Sequence, residues 1–189
     1  MACQIGHTEV VCALLSAGAK VDLQTTCGWT PLHSACNMGR TEVVRTLLSR
    51  GATDEVFATN GMTSLHAACV KGHTEVVRTL LSAGANVDLQ MKIKGGYAPL
   101  HLACQEGHTK SVRALLSGGA KVDLQTTEGM TCGKGHMEVV FTLLSARAQV
   151  DLQMKDGGSP VFCMPGRPRG GGLRPALWRS QGQPADHHW

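Results

Sequence analysis

Apolar residues return along the chain in a fixed pattern. Val43, Val44, Leu47 and Leu48 stand at i, i+1, i+4 and i+5, one apolar face of an amphipathic helix running from Thr41 or Glu42 to about Ser49. The pattern recurs at 9–16, 75–82, 111–117 and 138–145. A shorter apolar segment lies ahead of it: in Thr30-Pro31-Leu32-His33-Ser34-Ala35-Cys36, Thr30 is placed to cap a helix. Pro31 then takes the first helical position, where a missing N–H costs nothing. Gly39 stops this first helix and Gly51 supplies a left-handed exit from the second. Each unit therefore reads as turn, short helix, glycine break and second helix.

The units repeat. The string VDLQ starts at Val21, Val87, Val122 and Val150, and the interval from Asp22 to Asp88 is 66 residues, twice 33. Asp88 to Asp123 is 35 and Asp123 to Asp151 is 28, so one small insertion and one deletion interrupt the period. The strings GWTPLHSAC, GMTSLHAAC and GYAPLHLAC, followed by GHTEVV or GRTEVV and by LLSAGA or LLSGGA, resemble the ankyrin repeat. The resemblance covers Ala2 to Gln153. It implies an all-α fold, an α-solenoid of helix-turn-helix units with β-hairpin or turn connections, whose concave face is formed by hairpin tips and first helices. It also implies protein binding, since family members overwhelmingly work as interaction modules. One helix pair cannot bury both its faces, so such a stack is held by interfaces between neighbours, and about three repeats are a practical minimum.

The expected organisation is a repeat domain over 2–153 and a disordered Gly/Pro/Arg-rich tail over 154–189. Within the domain, a partial repeat spans 2–24, intact repeats span 25–57, 58–90 and 91–125, and a damaged repeat spans 126–153. Ile93 and Lys94 are the two-residue insertion in the hairpin of the 91–125 repeat. The first unit starts halfway along its first helix, with no polar cap before it. In the last, Thr131 is followed at once by Cys132, so five residues of a first helix are missing, and Arg147 replaces the exit glycine at a cost of roughly 1 kcal/mol for a left-handed turn.

The tail has a more specific explanation. Permitted codons for Cys163 to Arg169, read from the second base, spell ACQEGH, the string at Ala103 to His108. In the same phase Pro175 to His187 can be read as LLSGGAKVNLQTT, one difference from Leu115 to Thr127. This points to a sixth repeat translated out of frame, with the slip near Val161 and Phe162. The tail's arginines and triple glycine are then by-products of a frame change.

Composition narrows the function classes. At 42% hydrophobic and 17% charged residues the chain has enough apolar content for a core, and no apolar run approaches the roughly 20 residues of a membrane span. The amino-terminal residues lack the basic and apolar regions of a signal peptide, so the expected location is intracellular, the cytoplasm first with the nucleus open. The net charge of +4 lies mostly after residue 153, and no specific nucleic-acid partner is expected from it. Cys3 and His7, Cys69 and His73, Cys104 and His108, and Cys132 and His136 share a C-x-x-x-H spacing that can bind zinc. A small apolar residue late in the first helix, followed by the glycine-histidine break, produces the same spacing without metal, and that reading is preferred. His187 and His188 with Cys163 carry still less weight as a metal site. The cysteines read as reduced core thiols, with Cys27 the exposed one. No catalytic motif is present, and the resemblance implies that His33, His66 and His101 hold their turns by backbone hydrogen bonds.

A monomer without catalytic residues, metal or cofactor, binding an unidentified protein partner, is the expectation. Positions that vary between repeats are the candidates for contact. The hairpin tip after the glycine carries Trp29, Met62, Tyr97 and Met130. First-helix positions add Asn37, Met38, Val70, Lys71, Gln105 and Glu106, with Lys92 and Lys94 beside the insertion. Trp29 and Tyr97 packing merely on neighbouring hairpins is the alternative. A decayed or misassembled gene product is the competing functional reading, motivated by the damaged ends, and a metal- or redox-responsive scaffold is a third.

Overall fold

The computed structural model describes residues 1–92 and 95–122, together with residues 124, 126, 139, 142 and 143. Among the described residues, eight helices form four pairs: α1 (Ala2–Ile5) with α2 (Thr8–Ser16), α3 (Pro31–Asn37) with α4 (Thr41–Ser49), α5 (Ser64–Lys71) with α6 (Thr74–Ser82), and α7 (Pro99–Gln105) with α8 (Thr109–Ser117). First helices pack on first helices and second on second, so the pairs stack in register. No strand occurs among the described residues. The hairpins are turns, closed by the N–H of Thr25 on Trp29 O, of Ala58 on Met62 O and of Met91 on Tyr97 O, at 2.9 Å each. The third turn encloses two more residues than the others, so the inserted length sits inside the hairpin and leaves its closing bond intact.

One second helix begins at Thr41, an expected start, and the other three begin one or two residues before theirs, at Thr8, Thr74 and Thr109. Their first ladder bonds, Val44 N–H to Arg40 O and Val112 N–H to His108 O, start from the residue before each threonine. Apolar periodicity marks the buried stripe, whereas the backbone ladder marks the start. Leu32, Val44, Leu47, Leu65, Val77, Leu80, Val112 and Leu115 are at most 1% exposed and form one continuous core across the stack. Val139 and Leu143 extend it. The expected tail, the missing first helix of the damaged unit and the inserted Ile93 and Lys94 lie outside the described residues.

Glycine at the break between helices is required twice over. Gly39 and Gly72 adopt φ of 68° and 69°, and a Cβ on either would sit 2.7 Å or 2.5 Å from the imidazole of the next repeat, His73 or His108. Those rings come so close because each donates from Nε2 to the end of the preceding first helix: His73 to Asn37 O at 3.2 Å and His108 to Val70 O at 3.1 Å. Arg40, which replaces this histidine in its repeat, makes the equivalent bond to Gln4 O at 2.9 Å.

Candidate partner-binding surface

A second set of histidines fixes the hairpin tips. His33, His66 and His101 accept at Nδ1 from the N–H of Thr30, Thr63 and Ala98, at 3.3, 3.2 and 3.0 Å. Their Nε2 atoms donate to Met62 O and Tyr97 O in the following hairpins, at 3.2 and 3.1 Å, and to Leu124 O, aligned with Leu89 of the repeat before, at 2.7 Å. Every ring is therefore a neutral Nε2–H tautomer with both of its nitrogens occupied, and His33 and His66 each bridge two repeats. Burial lowers all three from the usual histidine value, His66 to about 4. The expected role of these residues, holding the turn by backbone bonds, is found, and it extends to locking the Met62 and Tyr97 tips onto the repeat before each.

The tip residues stand on this scaffold. Trp29, Met62 and Tyr97 are all half-buried, each at the same place in its repeat. The Trp29 ring lies 5.9 Å from that of His33, and Tyr97 meets His101 edge-on at 6.2 Å. Both aromatics lean on the histidine of their own repeat, and both are half-buried. Among the first-helix positions, Met38, Lys71 and Glu106 are exposed, while Asn37, Val70 and Gln105 are half-buried. Asn37 and Val70 supply the carbonyls bound by His73 and His108, so their backbone is structural while their side chains stay available. Lys94 and Met130 lie outside the described residues.

Two residues of this region escape the repeat pattern. Phe57 stands where the other hairpins have Gln24 and Gln90; it is half-buried, and Lys92 Nζ lies 4.4 Å above its ring centroid. Lys92 is therefore held across the boundary between hairpins. Asp54 stands where other repeats place Val21 and Val87 and is only 6% exposed. As a carboxylate it accepts from Leu65 N–H at 2.7 Å, from the Ser64 N–H, and from the Thr63 hydroxyl at 3.2 Å, while burial pushes its carboxyl up to about 7. The signal for both was a break in the VDLQ string, to Asp54-Glu55-Val56-Phe57.

Two of the four C-x-x-x-H pairs are committed elsewhere, and Cys132 and His136 lie outside the described residues. Cys69 and Cys104 are buried in the core, the Cys69 thiol is driven far up by burial, and His73 and His108 spend Nε2 on carbonyls of the preceding repeat. Among the described residues no three His, Cys, Asp or Glu side chains converge as a metal would require. Cys27 is exposed, while Cys3 and Cys12 are half-buried. No helix among the described residues is long and apolar enough to cross a membrane.

The stacked helix pairs define a helical-repeat protein. The family model for ankyrin repeats in three copies matches residues 1–91 and 60–127, and the chain belongs to the ankyrin repeat family. Members of that family are in general non-enzymatic protein-interaction modules. Comparison with curated proteins finds no match.

Proposed function

We propose that the chain binds a protein partner on the concave face, along the row of hairpin tips and first-helix ends. Trp29, Met62 and Tyr97 form the apolar line of the site, with Phe57 and Lys92 between the last two tips. Asn37, Met38, Val70, Lys71, Gln105 and Glu106 form its polar and mixed border. Lys94 and Met130 belong to the same row by their place in the sequence. The reading has the chain acting as a monomer inside the cell, with no cofactor and no reaction of its own.

The observation that supports it most is the repetition of large, half-buried side chains at the tips, with the Met62 and Tyr97 backbone already fixed by the histidine bridges and that of Trp29 by its bond from Thr25 N–H. A surface ordered before binding loses little entropy on contact, and large aromatic and sulfur side chains give the most per residue at interfaces. The test is quantitative cross-linking of the wild type and a Trp29→Ala, Tyr97→Ala double variant in cells, with thermal unfolding as the control for folding. The expected result is loss of the captured partners with an unfolding midpoint within a few degrees. An unchanged set of partners at unchanged abundance would remove the tips from the binding surface.

A further inference from the structure

A groove of about 710 Å³ opens between the second helices α6 and α8, and none of the tip residues lines it. Its lining includes Gly39 and Gly72 and carries Arg78, Lys110 and Arg113 against a single acid, Glu75. Arg78 is already turned toward Glu75, at 3.7 Å. Lys110 and Arg113 are exposed and make no ion pair among the described residues. A smaller hollow of about 300 Å³ shares Gly72, Thr74 and Lys110 with the groove and prolongs it across the same repeat boundary.

The charge here is a departure from the repeat. In the other three pairs the second helix opens Thr-Glu, with Glu9, Glu42 and Glu75; in α8 it opens Thr109-Lys110. The exchange moves the local charge by two and leaves Arg113 without the partner that Glu42 gives Arg45 and Glu75 gives Arg78. It also places a cation in the first turn of a helix, where the backbone dipole disfavours it. Lys110 thus adds nothing evident to the stability of its own repeat, while it turns a charge-balanced groove into a basic one.

We propose that this groove is a second docking surface, for an acidic segment of a protein partner, with Lys110 and Arg113 as its main contacts. The volume suits an extended peptide lying along the helix pair rather than a single ion. Carboxylates spaced along such a peptide would meet the two unpaired cations, with electrostatic complementarity setting the choice of ligand and the rate of encounter. The inference is independent of the reading of the hairpin tips, since the two surfaces share no residue.

The probe is a fluorescein-labelled ten-residue peptide of alternating glutamate and serine, followed by anisotropy on the full chain at about 50 mM and about 200 mM salt. Saturable binding that weakens at the higher salt is expected. Lys110→Glu, which restores the residue of the other three repeats, should lower affinity at least about tenfold while leaving the unfolding midpoint equal or higher. Lys20→Glu makes the same change in net charge at an exposed site in the first repeat and should change affinity less than about twofold. Equal loss in both variants would mean that bulk charge attracts the peptide and would overturn the proposal. So would absence of saturable binding, loss of binding in the Trp29→Ala, Tyr97→Ala protein, or tighter binding of a ten-nucleotide RNA than of the peptide.

Discussion

Replacing Asp54 by asparagine should stabilise the protein, and by an amount that depends on pH. The Thr63 hydroxyl has one proton and faces two acceptors, Asp54 Oδ2 at 3.2 Å and His66 Nδ1 at 2.9 Å. His66 Nδ1 carries no proton, because Nε2 donates to Tyr97 O. A carboxylic acid at Asp54 can instead donate to the Thr63 oxygen, which leaves the hydroxyl proton to join the Thr63 N–H on His66 Nδ1. Glu55 adds a further upward push, and the neighbouring thiols of Cys36 and Cys69 are neutral, their own values raised by burial and by the Asp54 charge. The folded value of Asp54, about 7, stands above the ordinary 3.8, so the folded chain holds this proton more tightly than the unfolded chain does. The stabilisation is then fully present below about pH 4 and is lost as pH rises through 7. A change of that size is worth on the order of 4 kcal/mol between the two protonation states, and relaxation around the charge brings the expected effect to about 2–4 kcal/mol. Asparagine reproduces the acid form, with its amide N–H donating to Thr63 and its carbonyl accepting from Leu65. Urea unfolding of both proteins from about pH 4 to pH 8 isolates this residue, because the buried histidines are common to both and cancel in the difference. The variant should be more stable by about 2–4 kcal/mol at pH 8, with most of that gain gone at pH 4. A difference that stays constant to within about 0.5 kcal/mol over the whole range would show that Asp54 is ionised throughout and refute the reasoning.

Two further perturbations test the stacking. Gly72→Ala and Gly84→Ala both place alanine at positive φ, yet the first drives a Cβ to 2.5 Å from the His108 ring while the second meets nothing within 4 Å. Urea unfolding should show a loss of about 1 kcal/mol for Gly84→Ala and at least about 2 kcal/mol more for Gly72→Ala; equal losses would mean that the histidine ring moves aside freely. Leu14 and Leu47 hold the same place in successive second helices, but Leu14 is 52% exposed and Leu47 is 1% exposed. Alanine at Leu47 should cost about 2–5 kcal/mol and at Leu14 less than about 1 kcal/mol, and similar costs at the two sites would contradict burial by the neighbouring repeat.

The repeats and their order were legible because a solenoid applies the same local rules several times. A threonine cap, a proline at the first turn and an apolar stripe at helical spacing each recur, and the period confirms what any one copy only suggests. The bonds between repeats were less visible, since they join positions about one period apart and involve backbone atoms. His33 and His73 could be seen as recurrent, but their acceptors, Met62 O and Asn37 O, carry no side-chain signature. The departures from the pattern proved more informative than the pattern itself. Ser64 in place of proline looks like neutral variation when TSLH is read beside TPLH. In the fold its N–H is a donor to Asp54, a bond that proline at this position would abolish, so the serine and the buried acid belong to one arrangement. Phe57 and Lys92 are a second such pair: neither follows the repeat, and they meet across a hairpin boundary. Lys110 is a third departure, with no compensating partner among the described residues. Where a substitution has a matching change nearby, packing accounts for it. An uncompensated one, in a groove open to solvent, is better placed to act on something outside the chain, which is why α8 rather than the regular face of the stack is the place to look for a second contact.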